Sequence, residues 1–343
     1  MKNYIKLLLF VAVFSTLFSC KNTLEVNAPW KETTVVYGLL NAHDSVQYIK
    51  INKAFLGNGN EMSFAKVADS INYGNQLTAV LQEYNNGSFV RSVTLIRDET
   101  LPKDTGIFAN VPNVIFRTPN SQEMPPNGFV INQQNTYQLS IKNNETGNTV
   151  TGSTAIVNDI SPDFPSTDSS TFSWIPSEYP KHVKWYPAIG GIIYNLVIQI
   201  HYDELLPPPN PQIYVPKTLN WSFGNVEGTD TLGSGAEFQQ DILGSLFYQF
   251  MATMIQPITG VNRKFRAMDF IWTVGSQDLD TYIQVYQPSV GIVQEKPSYT
   301  NLINGIGIFS SRSTFTLHGL GIGNNALDTL ISGPVTGNLG FSR

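Results

Sequence analysis

The chain has 343 residues and a formal net charge of −5 at pH 7, with 41% hydrophobic, 12% aromatic and 14% charged residues. This apolar and aromatic content excludes an intrinsically disordered chain, and the length allows one large domain or two ordinary ones. The sparse, mildly acidic charge argues against a nucleic-acid partner, which requires clustered lysine and arginine.

The first twenty residues have the pattern of a bacterial lipoprotein signal. Lys2 and Lys6 precede an apolar run over residues 7–18, which is too short to cross a bilayer and fits the hydrophobic region of a secretory signal. The run leads directly to Cys20, the only cysteine of the chain. We therefore expect a signal peptide over residues 1–19 and lipidation of the Cys20 thiol; the alternative is an ordinary signal peptide with an accidental cysteine.

A lipidated Cys20 places the rest of the chain next to a membrane. Two or more acyl chains such as palmitate anchor a protein stably, whereas one chain holds it only weakly. Residues 20–32 are expected to form a polar tether after the lipid. Because the single thiol is used in this way, no cysteine is left for a disulfide, a nucleophile or a sulfur metal site.

Residues 33–158 predict an immunoglobulin-like or fibronectin-like β-sandwich domain. Several short alternating segments are separated by turn-forming residues, as in such sandwiches. The strongest hairpin signal is residues 85–88 (NNGS), because asparagine and glycine tolerate the positive φ angles of a tight turn.

A segment rich in serine, aspartate and proline, residues 159–173, is expected to be a linker to a second domain over residues 174–343. That domain is predicted to be β-rich α+β, with two embedded helices near residues 236–256 and 277–287. Apolar residues recur every three to four positions in both segments. Ser234 and Ser276 are the predicted N-caps.

Short stretches along the chain resemble one known family, the Bacteroidota lipoproteins of domain of unknown function 4249 (DUF4249). The stretches are residues 36–39 (VYGL), 49–55 (IKINKAF), 80–87 (VLQEYNNG), 135–141 (NTYQLSI) and 301–309 (NLINGIGIF).

The resemblance implies an outer-membrane lipoprotein, often encoded beside TonB-dependent transporters, and hence an outer-membrane β-barrel protein as a partner. It implies no established reaction and no catalytic residues. Surface-exported lipoproteins of this phylum often carry acidic residues soon after the cysteine, whereas residues 21–24 here are KNTL. The sequence is compatible with an anchor on the cell-surface face and with one on the periplasmic face of the outer membrane.

The nearest approach to a chemical site is His201 with Asp203. On a strand these two residues share a face, and a metal ion can use such a pair. No HExxH motif, second nearby histidine or cysteine accompanies them. The expected interpretation is polar decoration at a strand end, with no metal, no cofactor and no catalytic residue.

The tryptophans offer a second set of candidates. Trp185 and Trp221 can stack on sugars or anchor a partner, or they can simply fill the core. The leading hypothesis is a non-enzymatic accessory or binding subunit of an outer-membrane β-barrel system. The alternatives are a glycan-binding surface lipoprotein, an accessory subunit of an envelope assembly machine, and a hydrolase with a metal at His201 and Asp203.

Overall fold

Strands dominate the structure. The computed structural model describes residues 33–54, 60–176, 179–229, 231–233, 235–287 and 298–343, with 45% strand and 14% helix. Soluble proteins usually contain about 20–25% strand, so the predicted mainly β fold class is confirmed. The predicted signal peptide, Cys20 and the tether all lie outside the described residues.

The strands are β1 (Thr34–Leu40), β2 (Tyr48–Lys53), β3 (Leu77–Asn85), β4 (Ser88–Thr94), β5 (Ile96–Asp98), β6 (Ile115–Arg117), β7 (Thr136–Asn143), β8 (Thr149–Ala155), β9 (Ser161–Phe164), β10 (Thr171–Phe172), β11 (Lys181–Tyr186), β12 (Ile193–Leu205), β13 (Val215–Glu227), β14 (Phe238–Ile242), β15 (Asn262–Gly275), β16 (Leu302–Ile303), β17 (Gly305–Ile322) and β18 (Phe341–Ser342). The α-helices are α1 (Glu61–Ala65), α2 (Ala68–Ile71), α3 (Gly244–Met254), α4 (Gln277–Tyr286) and α5 (Asn324–Ser332), and a 3₁₀ turn covers Gly337–Leu339.

These strands form three sheets. The largest has the order β13-β12-β15-β17-β1-β2-β6-β5, with β10 added to β17 and β18 added to β15. A five-stranded sheet has the order β16-β8-β7-β3-β4, and a three-stranded sheet has the order β14-β11-β9.

A β-sandwich is built around the first of two hydrophobic cores. Its inner faces carry the buried side chains of β1 and β2 on one sheet and of β3, β7 and β8 on the other, for example Val36, Ile51, Leu81 and Leu139. Alternate residues of each strand face inward, as the period of two requires. The predicted hairpin is present: Asn86 and Gly87 both have positive φ between β3 and β4.

Strand β17 connects the two halves of the molecule. Its first part pairs in parallel with β1, and its later part pairs antiparallel with β15. Phe309 of β17 is buried in the sandwich core, whereas Leu317 and Leu320 belong to the second core. The sandwich therefore contains residues from the predicted C-terminal domain. The predicted division into two domains, with a linker over residues 159–173, stays a prediction.

The second core is aromatic. Trp174 stacks on Phe247 of α3 with ring centroids 5.4 Å apart, and Phe270 lies 6.0 Å from Trp272 within β15. Helix α3 lies against this cluster, with Phe247 and Met251 fully buried. Large aromatic side chains bury the most surface per residue, so this cluster contributes much of the stability of the C-terminal half.

The predicted helix over residues 236–256 is wrong in its first part. Residues Phe238–Ile242 form β14, which pairs antiparallel with β11, and the helix begins only at Gly244. An apolar spacing of four residues, as between Phe238 and Ile242, fits both a helical face and one face of a strand. The predicted N-cap Ser234 is outside the described residues. The second predicted helix is confirmed as α4, with the Ser276 hydroxyl accepting from the Leu279 amide.

The segment 159–173 contains two strands, β9 and β10. Strand β9 is at the edge of its sheet and pairs with β11 on one side. Proline has no backbone N–H to donate, and this position at a sheet edge tolerates Pro162 because no strand of the described residues lies on the other side. Among the described residues, no helix has the length and apolar character needed to cross a membrane.

Candidate ligand-binding site

The structure separates the predicted pair His201 and Asp203. The Nε2 atom of His201 lies 3.3 Å from the Asp269 carboxylate, which also lies 3.0 Å from Nδ1 of His318. Asp203 instead faces Arg266 at 3.4 Å. Asp269 thus hydrogen-bonds His318 and lies beside His201, whose Nδ1 is bonded to the Thr218 hydroxyl. Within the described part of the chain no group of three or more suitable side chains forms a metal site.

The two candidate tryptophans lie in and against the aromatic core. Trp185 is 2% exposed and stacks on Phe238, so a ligand in solution cannot reach its face. Trp221 is partly buried and stacks on Phe250 of α3 with centroids 5.2 Å apart. The structure therefore places these rings in packing roles, and it brings neither of them next to His201.

A serine, an aspartate and a histidine do meet at one point, but not in catalytic order. The Ser313 hydroxyl donates to Asp159 at 2.5 Å, and Nε2 of His43 lies 2.7 Å from the same carboxylate. In a nucleophilic triad the histidine stands between serine and carboxylate and removes the serine proton. Here the aspartate stands in the middle, so the arrangement holds residues together without activating Ser313.

A cavity of about 350 Å³ lies on the outer face of β1 and β2, and we call it the Lys50 pocket. This volume is at the lower end of the range for small-molecule sites. Its walls combine apolar side chains with three lysines and include Val35, Tyr37, Ile71, Phe108, Lys50, Lys53 and Lys103.

Strand alternation places the central lysine in the pocket. Ile49 and Ile51 point into the sandwich core with no exposure, so Lys50 between them points to the opposite face. There its ammonium donates to the Asn113 side-chain oxygen at 2.8 Å and to the Val114 carbonyl at 2.6 Å. An ammonium has three N–H donors, so one donor remains for a group in the pocket.

Polar side chains fix the surrounding wall. Asn52, two residues after Lys50 on the same face, donates to the Ile71 carbonyl at 2.8 Å and to the Asn72 side chain at 2.9 Å. Asn72 in turn donates to the Pro112 carbonyl at 3.3 Å. These bonds join β2, α2 and the segment before β6 into one frame, so the walls are positioned before any ligand arrives.

The pocket carries uncompensated positive charge. Burial, with a smaller contribution from the charge of Lys103, lowers the pKa of the Lys50 ammonium to about 8. Lys103 lies against the rim, with its Nζ 5.6 Å from the centre of the Phe108 ring. None of the ion pairs formed by the described side chains includes Lys50, Lys53 or Lys103. In a chain with net negative charge, this is a local concentration of positive charge.

A second, more open cavity of about 710 Å³ lies beside the sandwich. It is lined by amide side chains, including Asn132 and Asn135, together with the ion pair between Glu83 and Arg91. Glu83 and Arg91 already neutralise each other there. The lining also contains Asp159, whose carboxylate lies 2.7 Å from Nε2 of His43, so the second cavity combines acidic with basic groups and has no cluster of positive charge.

Sequence reasoning missed the Lys50 pocket. The alternation in IKINK at residues 49–53 does place Lys50 and Asn52 on one face, which was a usable signal. The other side of the pocket comes from Lys103 and Phe108, about fifty residues later in a segment without regular structure. Only the folded chain brings these two segments together.

A scan against protein-family models finds no match to this chain, and a search of curated proteins finds none either.

Proposed function

We propose that this protein is a lipid-anchored, non-enzymatic binding lipoprotein of the outer membrane. The single observation that carries the proposal is the N-terminal sequence, in which a basic and then apolar segment leads directly to Cys20, the one cysteine of the chain. Lipid chains on Cys20 would hold the β-rich part of the protein at the membrane. The resemblance to the DUF4249 lipoproteins supports the outer membrane as the location.

A binding role is supported by the side-chain geometry. Two polar clusters, around Asp269 and Asp159, contain residue types that are common in catalytic sites. Their carboxylates are engaged in hydrogen bonds to residues of β17. The Lys50 pocket, in contrast, has apolar walls, a fixed frame and a lysine N–H donor without an acceptor among the described residues. Such a combination is typical of a small-molecule binding site.

The proposed partner is an outer-membrane β-barrel of a TonB-dependent transport system. This part of the proposal follows from the family resemblance, since relatives of that kind are often encoded beside such transporters. A subunit that binds a small ligand at the membrane surface would raise the local ligand concentration at the mouth of a barrel.

The anchor is tested by replacing Cys20 with serine in cells. We expect Cys20→Ser to abolish labelling by radioactive palmitate and to release the protein from the membrane fraction. Ser19→Ala is the matched control, because it keeps a small residue before the cysteine and should leave both labelling and fractionation unchanged. Stable membrane association of Cys20→Ser would contradict the proposed anchor.

The partner is tested by affinity purification of the full-length protein from native membranes in mild detergent. We expect a β-barrel transporter to co-purify in stoichiometric amount. Recovery of envelope assembly factors in its place would support the assembly alternative, and purification of the protein alone would count against a barrel partner. Protease treatment of intact cells distinguishes the surface face from the periplasmic face.

A further inference from the structure

The Lys50 pocket has a charge and shape that define the class of its ligand. Two of the three Lys50 donors are used by Asn113 and Val114, and the third has no acceptor among the described residues. Lys103 and Lys53 add positive charge to the same cavity without any carboxylate partner among the described side chains. A ligand with one or more anionic oxygens would complete this hydrogen bonding and relieve the repulsion between Lys50 and Lys103.

The rest of the wall is apolar. Ile71 is buried, Val35 and Tyr37 project from β1, and Phe108 forms the rim. A strongly hydrated inorganic anion gains nothing from these groups and loses its water on entering. An anion with an apolar or aromatic body gains free energy from covering them.

We propose that the Lys50 pocket binds a small organic carboxylate, with the carboxylate between Lys50 and Lys103 and the apolar body against Ile71, Tyr37 and Phe108. The volume of about 350 Å³ fits a ligand with a single ring or a short alkyl chain. The inference rests on the proposed binding function and names the ligand class for it.

The experiment measures binding to the full-length protein in a nonionic detergent by isothermal titration calorimetry. The probes are phenylacetate and hexanoate, their neutral amides, and inorganic phosphate. We expect both carboxylates to bind in the micromolar to millimolar range, and we expect the amides and phosphate to bind at least about tenfold more weakly, because they lose the charge-assisted bond or the apolar contact.

Variants locate the site. Lys50→Gln and, separately, Lys103→Gln should each weaken phenylacetate binding by about tenfold or more. Lys142→Gln is the matched control, since Lys142 is an exposed strand lysine of β7 outside the pocket and should leave binding unchanged. Lys103→Gln keeps the test valid if Lys50→Gln fails to fold, because within the described part of the chain the Lys103 ammonium makes one exposed hydrogen bond, to the Ala109 carbonyl at 3.3 Å.

A pH series gives an independent readout. Lys50, Lys53 and Lys103 are the charged groups in the pocket, and Tyr37 is its other titratable group. Because the pKa of Lys50 is about 8 in the free protein, carboxylate affinity should fall as the pH rises from about 7 to about 9. Side-chain NMR of Lys50 should show its pKa rising when phenylacetate is bound.

Equal binding of phenylacetate and its amide, no binding of either carboxylate, or full affinity in both lysine variants would each overturn the inference. Phosphate binding stronger than that of the carboxylates would also overturn it, in favour of an inorganic-anion site. These results concern purified protein, so they are distinguishable from failure of the membrane anchor, which is read in cells from palmitate labelling and fractionation of Cys20→Ser.

Discussion

Glu83 is an ionisable side chain in the core-facing row of β3, at a position where the strand pattern calls for an apolar residue. It is 2% exposed, and its carboxylate accepts from Arg91 at 2.5 Å and from Asn135 at 2.6 Å. Burial alone would raise the pKa of Glu83, but hydrogen bonds from Arg91, Asn135 and Tyr137 lower it below the ordinary value. Arg91 also covers the ring of Phe129, 4.3 Å from its centroid.

We expect Arg91→Met to lower the free energy of unfolding by about 2 kcal/mol, because it leaves Glu83 with less compensation for its burial. Arg266→Met is the matched control. Arg266 is mostly exposed and faces Asp203 at 3.4 Å, so its loss should cost less than about 1 kcal/mol. Urea unfolding at neutral pH measures both values, and equal effects of the two substitutions would contradict the role assigned to Glu83.

The Glu83 network also predicts a pH dependence with a definite sign. Since folding lowers the pKa of Glu83, its charged form stabilises the protein above the pKa that the residue has in the unfolded chain. That stability is lost as the pH falls through the lower pKa of the folded state. We expect the difference between wild type and Arg91→Met to shrink over this acidic range, as measured by urea unfolding at successive pH values. A constant difference would indicate that packing of Arg91 on Phe129 is responsible.

At the scale of single elements, the second helix of the C-terminal half shows where local sequence is sufficient. The Ser276 hydroxyl caps α4 by accepting from the Leu279 amide, and it also hydrogen-bonds the Ser310 hydroxyl of β17. Such a cap can be recognised from the sequence because its partners lie within one turn. The bond to Ser310 could not be predicted in this way, since it joins distant parts of the chain.

We expect Ser276→Ala to destabilise the protein by about 1–2 kcal/mol, through loss of the cap and of the bond to Ser310. Thr281→Ala is the control. The Thr281 hydroxyl donates to the Gln277 carbonyl one turn earlier and accepts from the Gln277 side chain at 3.5 Å. Both bonds are exposed and local, so replacement of Thr281 by alanine should be close to neutral. Thermal unfolding followed by circular dichroism gives both values, and a neutral Ser276→Ala would exclude the capping role.

The error at residues 236–256 and the missed pocket have related causes. Phe238 and Ile242 satisfy the helical period and the strand period equally well, and the choice is made by β11, which offers a partner edge. Lys50 likewise has the appearance of an ordinary solvated strand residue until the segment with Lys103 covers it. Alternation, turns and caps were predictable because they are local, whereas partner strands and cavity walls depend on contacts between distant segments.

On the scale of the whole molecule, Gly307 lies in the sandwich part of β17, the strand that continues into the second half. Its φ is +107°, and a side chain there would overlap the carbonyl oxygen of Val36 in β1. Only glycine allows β17 to approach β1 so closely while keeping the parallel register that places Val36 opposite Gly307.

We expect Gly307→Ala to cost more than about 3 kcal/mol and to shift the unfolding transition detected by tryptophan fluorescence. The shift is informative because the four described tryptophans belong to or pack against the aromatic core, whereas Gly307 is beside the sandwich core.

Gly87→Ala is the matched control. Gly87 also has positive φ, but nothing lies within 4 Å of the added carbon, so only about 1–2 kcal/mol of backbone strain is expected. A Gly307→Ala protein with an unchanged tryptophan transition would show that the halves unfold independently.

The placement of β17 also fixes an order of events during folding. β1 and β2 are joined by a short connection and can pair early, whereas β17, the parallel neighbour of β1, lies far along the chain. Until β17 docks, the opposite edge of β1 stays open, with the row of unpaired amides that promotes association between chains. Docking of β17 is therefore the step that closes this edge, and β1 depends for its protection on a strand that is distant in sequence.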